Sequence, residues 1–293
     1  MKLVTFESGG RRRIGVMETE DKIADVAAAD PSLPTDMLPL IAGWAPLSSR
    51  LRDAVARAPR VRLADVTLKA PLPRPPRNIF CVGKNYHEHA KEFASSGFDA
   101  TAKEVVPDAP VVFTKPPSGV IGPGEPIPSH LDPTSSVDYE GELSVVIGTG
   151  GRAIRRADAL SHVFGYTIIN DVTARTLQQK HRQWVLGKGI DGFCPMGPAI
   201  LTADEVPDHT VLRLRTWING ELRQDAPLSD LIFDIPTLIE TISAGITLEP
   251  GDVIATGTPA GVGIGFSPPK FLKPGDRVRI EVSGIGVLEN PVA

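Results

Sequence analysis

Asp138-Tyr139-Glu140-Gly141-Glu142-Leu143-Ser144-Val145-Val146-Ile147 sets two glutamates two residues apart at the head of a β-prone run. Side chains alternate along a strand, so Glu140 and Glu142 face the same side. A second apolar run, Phe164-Gly165-Tyr166-Thr167-Ile168-Ile169, is closed by Asn170-Asp171-Val172, with Asp171 29 positions after Glu142. An aspartate after such a run is expensive to bury without a partner, and Asp171 can meet the glutamates at the end of an adjacent strand. Three converging carboxylates repel one another unless a hard cation neutralises them. An oxygen-only set with three protein ligands suits Mg²⁺ or Mn²⁺, which keep positions open for water and substrate. An isolated Glu-x-Glu is more often a solvated strand edge, and Asp171 is what shifts the reading to a metal centre. Asp138 shares the parity of Glu140, which suits a fourth ligand or a surface residue equally.

The 28 glycines and 28 prolines among 293 residues break helices and argue for many turns and short strands, hence a β-rich α+β protein. Residues 2–17 read as two strands joined by Gly9-Gly10, and 48–58 as a short helix capped by serine and ended by Pro59. Lys69-Ala70-Pro71-Leu72-Pro73-Arg74-Pro75-Pro76-Arg77 carries four prolines in six positions, which makes it stiff and extended. It divides a small N-terminal β-rich module, 1–68, from a main body, 78–293, with 69–77 as linker. In the body, 78–83 reads as a buried strand and 87–94 as a short helix. The polar stretch 95–108 has the length of a functional or mobile loop. Residues 211–218 alternate into a hairpin turn at Asn219-Gly220. Residues 234–244 form a helix capped by Asp234, with Ile235, Leu238, Ile239 and Ile242 as a core stripe. Late strands follow at 253–256 and 277–282.

Hydrophobic content of 41% and charged content of 23% are ordinary for a globular protein. A net charge of −4 with scattered basic residues offers no stripe for nucleic acid. The start lacks a leader-like apolar region and no run reaches about 18 apolar residues, which predicts a cytoplasmic protein without membrane contact. Cys81 and Cys194 give no disulfide framework and read as buried thiols.

Three further segments carry chemistry. In Gly83-Lys84-Asn85-Tyr86-His87-Glu88-His89-Ala90-Lys91-Glu92, His89 and Glu92 lie on one helical face, and a carboxylate beside an imidazole suits a general base acting on water. In Leu186-Gly187-Lys188-Gly189, flanking glycines let Lys188 reach a pocket and stabilise an oxyanion, although a surface lysine is the commoner case. Thr256-Gly257-Thr258-Pro259-Ala260-Gly261-Val262-Gly263-Ile264-Gly265 follows a strand and can offer backbone N–H groups to an anion. Pro268-Pro269 forbids the helix a dinucleotide-binding unit requires, which excludes NAD.

In this order, five segments resemble the fumarylacetoacetate hydrolase family over roughly three-quarters of the chain, from Asn78 to the C-terminus. They are Gly83-x-Asn85-Tyr86-x-x-His89, Asp138-Tyr139-Glu140-x-Glu142-Leu143, Asn170-Asp171-Val172-Thr173-Ala174-Arg175, the stretch from Lys188 to Pro195, and Thr256-Gly257-Thr258-Pro259. The resemblance implies mixed β-sheets rolled around a site, a homodimer, and Mg²⁺ or Mn²⁺ on Glu140, Glu142 and Asp171. It also implies that His89 and Glu92 activate water from a segment that orders as a lid, and that Lys188 is the active-site lysine. Gln178 and Thr258 match positions that contact substrate oxygens, and Lys84, Tyr86 and Arg175 in the same motifs join them as substrate-binding candidates. The small N-terminal module resembles one found in many bacterial members. Two departures, Thr176 after Arg175 and Gly189-Ile190 after Lys188, touch substrate identity more than the metal ligands.

These residues imply hydrolysis of an acylpyruvate, a 2,4-dioxo acid, to pyruvate and a carboxylic acid. A rival is an isomerase or decarboxylase working through an enolate on oxaloacetate or a 2-hydroxy-diene diacid, which needs no attacking water. A non-catalytic binder of the same fold has no use for His89 and Glu92. Phe93, Phe98, Val105 and His181-Arg182-Gln183-Trp184 are expected to shape the far end of the pocket.

Overall fold

The computed structural model describes residues 1–99 and 105–293, and strands dominate it, as the abundance of glycine and proline predicts. The run carrying Glu142 forms the strand Gly141–Ile147, buried along its whole length. It pairs antiparallel with Val163–Asn170, Gly141 opposite Asn170 and Glu142 opposite Ile169. Because both strands are covered on both faces, their sequences read as apolar runs without alternation.

Among the described residues, twelve strands share one mixed sheet around this pair. On one side lie Val253–Ala255, Ile79–Gly83 and Val111–Lys115, the first two parallel to each other. On the other lie Cys194–Thr202, Lys2–Ser8, Arg11–Thr19, Lys22–Asp25 and Arg60–Arg62. A four-stranded antiparallel sheet is ordered Glu221–Pro227, Arg213–Ile218, Arg277–Val282, Gly286–Pro291. One hydrophobic cluster joins Leu143 and Tyr166 of the large sheet to Leu214 and Ile280 of the small one and to Leu238 and Ile239 of the helix Ile235–Ser243.

Residues 1–68 contribute strands to the large sheet itself, with Lys2 opposite Leu201 and Leu3 opposite Ile200. A second cluster runs without a break from Leu3, Ile14 and Leu40 to Ile79, Val146 and Ile169. The expected Gly9-Gly10 and Asn219-Gly220 turns are present, each with positive φ at both residues. Asp234 caps its helix, its side chain accepting from the N–H of Thr237 at 2.9 Å. Cys81 and Cys194 are buried free thiols, and burial pushes Cys194 up to about 12, which keeps it protonated. No described helix is long and apolar enough to cross a membrane.

Two local readings are corrected. The helix expected at 48–58 spans Trp44–Arg57. It starts at Gly43 without a capping side chain, and Pro46 fits its first turn, where no intrahelical donor is required. Cys194–Thr202, whose prolines hide it, is a nine-residue buried strand. Pro198 is accommodated because the register skips: Tyr166 pairs with Leu201 but Ile168 with Gly197, so three residues oppose Thr167.

Gly165 marks the tightest approach in this region, since a Cβ there would lie 2.3 Å from the Leu201 carbonyl oxygen. Gly165→Ala should therefore lower stability by about 1–3 kcal/mol in urea unfolding. An unchanged midpoint would mean that the two strands separate more easily than their packing indicates.

Candidate active site

Glu140 immediately precedes the Gly141–Ile147 strand, and Asp171 immediately follows Val163–Asn170. The Asp171 N–H donates to the Glu140 carbonyl at 2.8 Å, which extends the strand pairing by one residue and brings the acids together. One oxygen each from Glu140, Glu142 and Asp171 lie within 4.8 Å of one another, and all three residues are buried.

Cations crowd this cluster. Lys188 Nζ bridges Glu140 Oε2 at 2.6 Å and Asp171 Oδ2 at 2.7 Å. Lys115, absent from the sequence-based candidates, donates to Asp171 Oδ1 at 2.7 Å, to the Val172 carbonyl at 2.9 Å and to the Lys188 carbonyl. Arg175 pairs with Asp138 Oδ2 at 2.9 Å and Glu140 Oε1 at 2.7 Å, while its Nη2 has no partner among the described residues. Burial would raise Glu140, but Lys188 and Arg175 hold its carboxyl down at about 2. Glu142 has no cationic partner within bonding distance among the described residues; burial, reinforced by Asp171 and Glu140, pushes it well above the usual carboxylate range.

This donor set fits a hard divalent cation: all oxygen, close together, and with the Lys188 ammonium standing as a cation between two of the three ligands. Asp138 is neither a fourth ligand nor a surface residue. It is fully buried and accepts from Arg175 and from the N–H groups of Tyr139, Gly263 and Ile264.

The glycine-rich loop after Val253–Ala255 does bind anions, and they belong to the protein. Gly257 N–H donates to Glu142 Oε2 at 2.9 Å, Gly261 N–H to Glu92 Oε1 at 2.9 Å, and Gly263 and Ile264 to Asp138. Glu92 Oε2 in turn takes Nδ1 of His89 at 3.0 Å, the expected pairing along the helix His87–Ser95.

A single narrow cavity is lined by His89, Glu140, Glu142, Lys188, Lys84, Arg175, Gln178 and Thr258, with Phe93 and Trp184 forming its apolar wall. Lys84 is ion-paired with Asp99. Thr258 donates to the Gly141 carbonyl at 2.9 Å and accepts from Gln224 at 2.7 Å. Tyr86 does not line this cavity. Its buried hydroxyl lacks a partner among the described residues, and its ring borders a neighbouring cavity with Asp230 and Leu231. Phe98 packs edge-on against Phe271, whereas Val105, His181, Arg182 and Gln183 are exposed. Of the stretch 95–108, residues 100–104 lie outside the described part. The sequence carried a weak signal for Lys115: a lone cation ending the apolar run Val111-Val112-Phe113-Thr114 before Pro116-Pro117.

Residues 78–293 match the family model described as fumarylacetoacetate (FAA) hydrolase C-terminal. The oxaloacetate tautomerase YisK of Bacillus subtilis (strain 168) is 44% identical over 307 residues, covering 100% of both chains. The structure of a fumarylacetoacetate hydrolase (EaFAH) from psychrophilic Exiguobacterium antarcticum is 45% identical, with a TM-score of 0.84 over 100% of this chain and 99% of that one. Maleylpyruvate hydrolase from Sphingobium sp. SYK-6, solved with manganese(II) and pyruvate, is 36% identical, with a TM-score of 0.80 over 100% and 99% of the two chains.

Calorimetric titration with Mn²⁺ should show one tight site per chain. Glu142→Gln should weaken it by at least about tenfold, because a neutral amide replaces a ligand charge, whereas His89→Ala should leave it nearly intact. Equal binding by Glu142→Gln would remove Glu142 from the ligand set.

Proposed function

The chain belongs to the fumarylacetoacetate hydrolase family, and from that membership we propose that it is a Mg²⁺- or Mn²⁺-dependent enzyme that interconverts the keto and enol forms of a short 2-oxo dicarboxylic acid of the oxaloacetate type. The observation carrying this reading is that one narrow cavity is lined both by Glu140 and Glu142, two members of the carboxylate trio, and by a single imidazole oriented by a carboxylate. The full-length likeness to an oxaloacetate tautomerase supports it and reverses the order expected from residue types alone, which put hydrolysis first. The narrowness of the cavity suits a compact substrate better than a long acyl chain.

Bound at Glu140, Glu142 and Asp171, the cation would supply Lewis acidity at the substrate's oxo oxygen. The chain's own groups do the rest. With Nδ1–H donated to Glu92, Nε2 of His89 is left as the acceptor of the proton on carbon 3. That C–H bond breaks, its electron pair becomes the C2=C3 double bond, and the C2=O π pair moves onto the 2-oxo oxygen. Return of the proton from His89 Nε2 to that oxygen completes the enol and restores the neutral imidazole. Lys188 and Arg175 place positive charge where the oxygen charge grows, and Gln178 and Thr258 offer neutral hydrogen-bonding groups beside them.

A second reading, hydrolysis of an acylpyruvate, draws on the same His89–Glu92 pair, which can also activate water, and on the likeness to the maleylpyruvate hydrolase. A homodimer, tested by light scattering, belongs to the proposal as well.

Decay of the enol absorbance of oxaloacetate, followed with Mg²⁺, Mn²⁺ or chelator, should be accelerated only with metal. His89→Ala should lower the rate by about 10²–10⁴-fold. An NMR panel with acetylpyruvate and fumarylpyruvate separates the readings: acid plus pyruvate from these substrates, without faster ketonisation of oxaloacetate, would replace tautomerase by hydrolase.

A further inference from the structure

Immediately before the two carboxylates that the 138–142 stretch sends into the cavity, Tyr139 sends nothing there. Its side chain is 1% exposed, and its hydroxyl donates to the Gly261 carbonyl at 2.7 Å. The N–H of that same residue holds Glu92 Oε1 at 2.9 Å, and Glu92 Oε2 holds His89 Nδ1 at 3.0 Å. Three hydrogen bonds therefore run in series from the metal-ligand segment to the imidazole.

The middle link is confined on several sides. Gly261 has φ +105°, where L side chains rarely sit, and a Cβ there would lie 1.9 Å from the Arg223 carbonyl oxygen. A Cβ at Gly265 would lie 1.8 Å from Glu92 Oε1, so the loop also closes over the flank of this carboxylate. Glu92 itself stands on a nine-residue helix and retains 15% side-chain exposure, which leaves it a route to swing towards solvent. A charge-assisted bond from a fixed peptide N–H opposes that swing, and only a fixed peptide can supply it.

We propose that Tyr139 is a positioning residue for the acid–base pair: by fixing the Gly261 carbonyl it restrains the residue whose N–H holds Glu92, and through Glu92 it selects the His89 tautomer that presents Nε2 as acceptor. The effect on turnover rests on the role given to His89 above; the effect on the tautomer does not.

Tyr139→Phe keeps the ring and removes the single hydroxyl. In Mg²⁺-loaded, ¹⁵N-histidine-labelled protein, wild-type His89 should show a pure Nδ1–H tautomer, and the variant should show a mixture of tautomers. The kcat should fall about tenfold, a fraction of what general base catalysis supplies, while KM, Mn²⁺ affinity and thermal midpoint move less than about twofold or by a degree or two. In a Glu92→Ala background the same substitution should lower kcat no further. An unchanged ¹⁵N signature overturns the proposal. So does a loss of kcat shared with Mn²⁺ affinity and thermal midpoint, or one that is additive with Glu92→Ala. Absence of tautomerase turnover in the wild type, with the ¹⁵N shift of the variant as expected, would instead sink the functional reading and leave the positioning role standing.

Discussion

Four carboxylates, those of Asp138, Glu140, Glu142 and Asp171, are buried close together, and much of the surrounding architecture serves to hold that negative charge. In a medium of low dielectric, like charges this close are tolerated only with counter-charge and directed donors at contact distance. Lys115, Lys188 and Arg175 supply the first, from a strand end, a short helix and the start of another helix. The glycine-rich loop supplies the second through backbone N–H groups. Among the described residues Glu142 receives a peptide N–H but no ammonium or guanidinium, and a divalent ion is the natural completion of that arrangement.

The same economy of placement divides the 138–142 stretch by parity and by role. Glu140 and Glu142 turn to the cavity. Asp138 anchors Arg175 and the far end of the glycine-rich loop, and Tyr139 anchors its middle. The stretch that sends Glu140 and Glu142 into the cavity thereby also holds the loop that meets Glu92, so the carboxylate cluster and the His89–Glu92 pair share one mechanical support. Gln224 ties this support to the smaller sheet: it accepts from the Gly141 N–H and donates to Thr258 and the Pro259 carbonyl.

Strand parity and the cost of burying a lone aspartate make the Glu140, Glu142, Asp171 cluster legible in sequence, because the acids lie on two neighbouring strands whose pairing is simple. The His89–Glu92 contact is legible for a similar reason, since helix geometry alone brings i and i+3 together. Lys115 is not, because its acceptors on residues 171, 172 and 188 are remote in the chain and meet it only in the folded sheet. The loop at 257–265 shows the limit of composition: its anion-binding chemistry is readable, but the identity of the anions depends on tertiary neighbours. Prolines conceal the Cys194–Thr202 strand because the register skip that accommodates Pro198 exists only between partners already aligned.

That concealed strand has a bearing on solubility. It lies between Val163–Asn170, which leads into Asp171, and the N-terminal Lys2–Ser8 strand. The N-terminal strands thus cap what would otherwise be an open, apolar sheet edge one strand away from the carboxylate cluster. A chain stripped of them would present unpaired backbone groups of a buried, nonpolar strand to any passing molecule, the template on which edge-to-edge aggregation starts.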